Sequence, residues 1–336
     1  MDASLPADIQ FCIRNPSSSP WFLAGPTAVG KSEAAMLLAE QLNGEIISVD
    51  SMQVYRGLDT GTAKPTAAEQ TRVPHHLIDV ADVTEAFDAA KFCILAQRAV
   101  AEIQERGGTP IFCGGTGLYF KAYLEGLGEA PPADAKLRTE LEAAPLEDLL
   151  RELAEHDPVT YERIDRQNPR RVIRAIEVIR LTGKPFSQQR SRWDETPSEP
   201  PVTGGGLRGR WPQQLGQPAR LFVLTRAKFD LDARISARVD AMFAQGLVAE
   251  TKALLELGLE QNPTAMQAIG YRQVVEHLRG ERSLEETVEL VKVRTRQFAK
   301  RQLTWFRRQP AAQWVEIRHD ETVAEVVRRI LAGFPP

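Results

Sequence analysis

The stretch Gly25-Pro26-Thr27-Ala28-Val29-Gly30-Lys31-Ser32 constrains this chain more than any other. It fits GxxxxGK[ST] without deviation. It follows a short apolar run, WFLA at 21–24, and precedes a segment, 31–42, whose apolar residues recur with helical period. A strand that turns through glycines into a helix aims consecutive backbone N–H groups and the positive helix end at one point, which makes a cradle for an anion. Lys31 adds a point charge, and the Ser32 hydroxyl is placed for Mg2+. A glycine turn with a chance lysine is the bland alternative, and it has no need of strand, turn and helix in that order. The pattern predicts a polyphosphate or diphosphate ligand and leaves open whether that ligand is a nucleotide.

Further strands alternate with helices. Residues 45–49 (EIISV) read as a buried strand ending at Asp50, 90–106 as a helix stopped by Gly107-Gly108, and 109–113 (TPIFC) as a strand closed by Gly114-Gly115. That alternation predicts an α/β fold, a parallel sheet with helices on both faces. From about residue 128 the pattern is helical only. Residues 134–156 are amphipathic, and Asn168-Pro169 starts a helix over 170–181 that Gly183 and Pro185 stop. An apolar strand returns at 220–225, followed by helices at 230–245, 247–257 and 284–308. The reading is therefore a 1–20 extension, a core over 21–127, a helical insertion over 128–200 and a Gly/Pro-rich loop at 201–218. The core then resumes over 219–318 and ends in a 319–336 tail.

The second strand ends in Asp50-Ser51-Met52-Gln53, which parallel topology places beside the phosphate loop, at the carboxyl edge where ligands bind. A carboxylate beside a diphosphate is unfavourable unless a metal or a proton-transfer role offsets it. A helix cap is the alternative role for Asp50. Gly114-Gly115-Thr116-Gly117 reaches the same edge, with Thr116 able to present a hydroxyl to a phosphate or an attacking group. No aliphatic run ends in an Asp-Glu pair and no NKxD occurs, so the usual nucleotide-hydrolysis apparatus is missing.

Net charge is only −3, yet Lys292, Arg294, Arg296, Lys300, Arg301, Arg307 and Arg308 crowd into 286–308. Arg163, Arg166, Arg170, Arg171 and Arg174 crowd into 163–174. Two basic stretches in an acidic chain give it somewhere specific to put an anion. Cys12, Cys93 and Cys113 lie far apart with no CxxC pair, which argues against a disulfide or zinc framework. With no signal-like start and no apolar run long enough to span a bilayer, a cytoplasmic protein without a membrane partner is expected. His75-His76 lack a third ligand at plausible spacing and read as structural.

These residues resemble the tRNA dimethylallyltransferases (tRNA isopentenyltransferases). The matching stretches are GPTAVGKS (25–32), ISVDSMQVYRGLDTGTAKP (47–65), PHHLID (74–79), GGTGLYFKA (114–122) and NPRRVIRAIEVIRLTGKP (168–185). ARVDAMFAQGLVAE (237–250), AIGYRQ (268–273) and KRQLTWFR (300–307) follow in family order. The resemblance implies a P-loop NTPase-like core with an inserted helical domain that binds the anticodon stem-loop. It also implies transfer of a dimethylallyl group from dimethylallyl diphosphate to the exocyclic amine of the adenosine 3′ of the anticodon. Gly25, Pro26, Thr27, Ala28, Val29, Gly30, Lys31 and Ser32 would hold the diphosphate, with Mg2+ on Ser32. Asp50 would be the general base, with Thr116 at the reaction centre and Ser51, Met52 and Gln53 beside the target nucleotide. Arg138 and the run Arg170, Arg171, Val172, Ile173, Arg174 would contact tRNA. Lys228 stands where many members carry a diphosphate-binding arginine, and it supplies charge without a fork. A monomer suffices to grip one stem-loop. Three other readings compete: a small-molecule kinase, a prenyltransferase of free adenine nucleotides, and a non-catalytic RNA-binding protein.

Overall fold

The structure is a computed structural model that describes residues 19–127, 130–189, 220–309 and 312–332. The 201–218 loop and most of the 1–20 extension lie outside these residues. Six strands form one sheet: β1 (Trp21–Ala24), β2 (Gly44–Val49), β3 (His75–His76), β4 (Thr109–Gly114), β5 (Arg220–Arg226) and β6 (Gln313–Ile317). Their order is β3-β2-β4-β1-β5-β6, and every pairing is parallel. All four residues of β1 are buried. A parallel strand covered on both faces has no polar side to alternate with, which is why WFLA reads as a continuous apolar run.

The register aligns the strand ends. Ala24 pairs with Gly114 on one side and Val223 on the other, and Gly114 pairs with Val49. The residues that follow, Gly25, Gly115 and Asp50, therefore leave the sheet side by side. Gly114 must lack a side chain, because a Cβ there would stand 2.1 Å from the Val49 carbonyl oxygen.

Helices flank the sheet: α1 (Lys31–Leu42), the short α2 (Ala67–Arg72), α3 (Ala89–Glu105) and α4 (Gly117–Glu125). Asp88 caps α3 by accepting from the Ala90 and Lys91 N–H groups. The chain divides into two compact units, one of Met1–Lys121 with Pro212–Pro336 and one of Ala122–Trp211, wider on both sides than the 128–200 insertion expected.

The second unit carries α5 (Ala135–Ala143), α6 (Leu146–His156), α7 (Pro158–Arg163), α8 (Pro169–Thr182) and α9 (Phe186–Gln189). The amphipathic run 134–156 is two helices, because Ala144 and Pro145 hold extended backbone between them. Asn168 caps α8, Pro169 opens it and Gly183 ends it at φ 68°. Its apolar face, Val172, Ile173, Ala175, Ile176 and Ile179, packs with Leu141, Leu149 and Leu153 into a core of its own.

After β5 the first unit continues with α10 (Lys228–Ala244), α11 (Leu247–Glu256), α12 (Tyr271–Leu278), α13 (Leu284–Phe306) and α14 (Val323–Leu331). The 319–336 segment is more than a tail. Thr322 and Glu325 form a capping box at the start of α14, and Val326, Val327, Ile330 and Leu331 join the main core with α1. Strand β6 was not foreseen, since QWVEI spaces its polar residues Gln313 and Glu316 three apart; in the sheet Trp314 and Glu316 are exposed and Ile317 is buried, as suits an edge strand. Among the described residues no helix is long and apolar enough to cross a membrane.

A methyl at residue 114 meets rigid backbone, whereas one at Gly107 meets open space and bears only the strain of φ +74°. Gly107→Ala should cost ~1–2 kcal/mol, the usual penalty of a left-handed alanine. Gly114→Ala should cost more than that, and paired thermal melts of the two variants check the order.

Candidate active site

The loops leaving β1, β2, β4 and β5 converge at one edge of the sheet. The phosphate loop carries left-handed backbone at Ala28 (φ 63°) and Gly30 (φ 103°), and Gly25 (φ 148°) would drive a Cβ to 2.6 Å from the Leu224 carbonyl oxygen. The loop's carbonyls are taken by this chain's own cations. Lys31 Nζ donates to the Pro26 carbonyl (2.6 Å), Arg234 Nε to Ala28 (2.9 Å) and Arg226 Nε to Val29 (2.8 Å). A loop whose carbonyls turn to internal cations has the opposite face for an anion.

Neither Arg226 nor Arg234 was foreseen, and Lys228 does not share their place. Its side chain is 89% exposed and paired with Asp232 at 2.6 Å. The N-terminal turn of α10 points it outward, whereas Arg234 and Arg238, later on the same helix, line the site. Arg238 is also new. It donates to the Thr62 carbonyl (3.2 Å), and its buried Nε has no hydrogen-bond partner among the described residues. Burial lowers its pKa, with Asp50 the one charge opposing that shift. Burial likewise draws Lys31 down to about 8, helped by Arg238 and opposed by Cys113 and Asp50. An unpartnered buried nitrogen on one of two desolvated cations marks a place that suits an anion.

Asp50 is half-buried. Its Oδ1 accepts from the Met52 N–H (2.8 Å) and more weakly from Gln53 (3.4 Å), so it caps a turn, and it also lines the cavity with Lys31. Thr116 Oγ1 accepts from the Ser51 N–H (3.1 Å) and lies 3.5 Å from the Ser51 hydroxyl. Asp50, Ser51 and Thr116 are thus one cluster. Gln53 lines the same cavity as Asp50. It accepts from the Ser48 hydroxyl and donates to the Thr62 and Ala63 carbonyls, tying the β2 end to the opposite wall.

That wall is the 59–65 segment, and the family-specific stretches GTAKP and AIGYRQ turn out to build it. Lys64, 5% exposed, is held by Asp59 and Asp79 at 2.5 Å each and by the Tyr55 carbonyl. Glu250 accepts from the Asp59 and Thr60 N–H groups and from the Tyr271 hydroxyl, which itself accepts from the Gly61 N–H. Gly61 must be glycine because a Cβ there would lie 2.4 Å from the Tyr271 ring.

Two cavities meet here. The narrow one, about 130 Å³, is lined by Thr27, Lys31, Ser32, Asp50, Gln53, Arg238 and Gln302, with Ala35, Met36, Ile46 and Phe298 as its apolar lining. The wide one, about 910 Å³, shares Lys31, Ser32, Lys64 and Arg238 and adds Gly30 and Arg234. Ser32 and Asp50 give a hydroxyl and a carboxylate in one cavity. That donor set fits a hard cation that takes its other ligands from phosphate and water. Among the described residues no group of three or more His, Cys, Asp or Glu side chains stands ready for a metal. His76 pairs with Glu45 at 2.6 Å, and His75 makes a contact to the Val73 carbonyl.

In the helical unit, Arg170 and Arg171 are exposed, and Arg138 and Arg174 both pair with Glu177, a side chain with 0% exposure. Val172 and Ile173 do not join the arginines. The helical period turns them into the core, which corrects the expectation that the whole 170–174 run faces tRNA. On α13, Lys292 is held by Asp240 and Glu289 and Arg296 by Ser236, while Arg294, Lys300, Arg301, Arg307 and Arg308 are exposed. Phe306 is core, edge-on to Phe120. Trp305 is half-buried over Gly117, and Tyr161 is half-buried under the Arg166 guanidinium.

A family model described as IPP transferase matches residues 53–309. A tRNA dimethylallyltransferase 1 of Trichlorobacter lovleyi is 48% identical over 87% of this chain and 92% of its own length. The tRNA dimethylallyltransferase of Desulforudis audaxviator is 44% identical over 93% and 96%. A solved tRNA isopentenylpyrophosphate transferase from Bacillus halodurans superposes with a TM-score of 0.65 at 38% identity, covering 93% of this chain and 94% of that one. A eukaryotic dimethylallyltransferase captured acting on tRNA gives 0.67 at 27% identity, over 89% and 74%.

The lowered Lys31 pKa makes anion binding pH-dependent, because a diphosphate favours the ammonium form. Affinity for inorganic diphosphate should weaken as pH rises through about 8, approaching ~10-fold per pH unit above it. Calorimetric titration at pH 7–9.5 checks this, and Lys31→Arg, which stays charged, should lose the inflection.

Proposed function

This chain belongs to the IPP transferase family and transfers a dimethylallyl group to tRNA, and we propose that the phosphate loop, Asp50 and Thr116 carry the chemistry. The donor is dimethylallyl diphosphate, and the acceptor is the exocyclic amine of the adenosine 3′ of the anticodon. The observation that carries this reading is the convergence of Asp50 with two desolvated cations, Lys31 and Arg238, in a cavity that Lys64 and Glu69 also line.

The diphosphate lies against the loop from Gly25 to Ser32, met by Lys31, Arg234 and Arg238. The narrow cavity offers Ala35, Met36, Ile46 and Phe298 to the five-carbon chain. The adenine amine attacks the allylic carbon as the carbon–oxygen bond breaks, and the electron pair leaves on diphosphate. An aromatic amine is a weak nucleophile and must lose a proton as the bond forms, and Asp50 accepts it. Thr116, fixed by the Ser51 N–H, orients the amine. Cationic groups at the loop stabilise the leaving charge where it develops. Mg2+ held by Ser32 would add a further positive charge to the diphosphate.

Bases stacked in an anticodon loop must turn outward to enter such a cavity. Arg138, Arg170, Arg171 and Arg174, with the exposed basic residues of α13, serve the RNA phosphates. Each phosphate met by a cation releases counterions, so RNA affinity should fall steeply with salt concentration; a flat response in a filter-binding series would remove the arginines from the interface.

Asp50→Asn keeps the turn-capping oxygen and removes the base. It should slow single-turnover transfer by ~10²–10⁴ while RNA affinity stays close to wild type, and equal losses of both would refute the base assignment. Labelled donor mixed with unmodified tRNA, AMP or no acceptor separates this reading from a free-nucleotide prenyltransferase. Turnover of ATP without tRNA would instead indicate a kinase.

A further inference from the structure

One buried amide belongs to no role assigned above. Gln302 lies on α13 and is 8% exposed. Its Oε1 accepts from the Thr27 N–H of the phosphate loop (2.9 Å), and its Nε2 donates to the Gly115 carbonyl (3.0 Å). A carboxamide can accept at one end and donate at the other, and these two ends reach two different loops of the site. The fit is close, because a Cβ on Gly115 would stand 2.1 Å from Nε2. One helical turn later Trp305 covers Gly117, where a Cβ would lie 2.3 Å from the ring. Between these two glycines stands Thr116, bonded to the Ser51 N–H beside Asp50. A continuous path thus runs from the anion cradle through Gln302 to the base.

Docking of α13 does not need this amide, since Val291, Ala299 and Phe306 already bury its apolar side. An amide placed in the interior is favourable only when both of its ends are bonded. Both are bonded here, and both partners are backbone atoms of the loops that hold the reactants.

We infer that Gln302 is a positioning residue for the transfer reaction, one that sets the separation between the diphosphate cradle and the Asp50–Thr116 pair. The inference rests on the reading of the site given above. Misplacing reacting groups by about 1 Å can cost ~10²-fold in rate, so the effect falls on the chemical step rather than on binding.

The test uses the full chain and three measurements: affinity for inorganic diphosphate, affinity for an anticodon stem-loop RNA, and single-turnover transfer from labelled dimethylallyl diphosphate. Gln302→Met keeps length and volume without the amide. It should lower the transfer rate ~10–100-fold, and both affinities should stay within about threefold of wild type. Gln302→Glu keeps the acceptor for Thr27 but sets an oxygen against the Gly115 carbonyl, and it should lose at least as much rate. If Gln302→Met does not fold, Gly115→Ala displaces the amide from the opposite side and should give the same pattern. A wild-type rate in Gln302→Met, or losses of all three quantities in proportion to unfolded protein, would overturn the inference. Wild-type protein that transfers nothing to the RNA would instead overturn the reading of the site, which is a separate outcome.

Discussion

Positive charge held out of water is the constraint around which this site is built. Lys31 and Arg238 are both desolvated, and Asp50 is the carboxylate they share. Lys31, Lys64 and Arg238 outnumber Asp50 and Glu69 in the narrow cavity, an excess that suits an anion. The rest of the first unit maintains this arrangement. Parallel strands of matched register deliver Gly25, Asp50 and Gly115 to one level, and glycines at 114, 115 and 117 let neighbouring backbone and side chains close over them.

Much of this was legible in the chain. GxxxxGKS after an apolar strand gave the cradle, EIISV before Asp50 gave the second strand end, and the helix over 170–181 appears with caps at Asn168 and Gly183. Each of these is a local signal, carried by residues within one turn or one strand of each other. What could not be read depends on partners far along the chain. Arg226, Arg234 and Arg238 are ordinary helix and strand-end arginines until the fold sets them against residues 28–30 and 62. Lys228 stands where the resemblance implies a diphosphate-binding arginine, yet its place in the first turn of α10 turns it to solvent. Val172 and Ile173 were grouped with arginines by adjacency, and the helical period separates them.

The motif residues GTAKP and AIGYRQ show a second kind of blindness. Read along the chain, neither stretch shows what Lys64 or Tyr271 touches, because Asp59, Asp79 and Glu250 lie outside both. In three dimensions they brace the cavity wall through Lys64, Glu250 and Tyr271. A signature can identify a family while doing its work as scaffolding.

The strand order has a consequence for biosynthesis. Trp21 on β1 pairs with Ile111 on one flank, but its partner on the other flank, Arg220, is made 199 residues later. At ribosomal rates of about 5–20 residues per second, that neighbour arrives ~10–40 s after β1 is synthesised. Throughout that interval the nascent sheet has an open hydrogen-bonding flank at β1, lined by Trp21, Phe22 and Leu23.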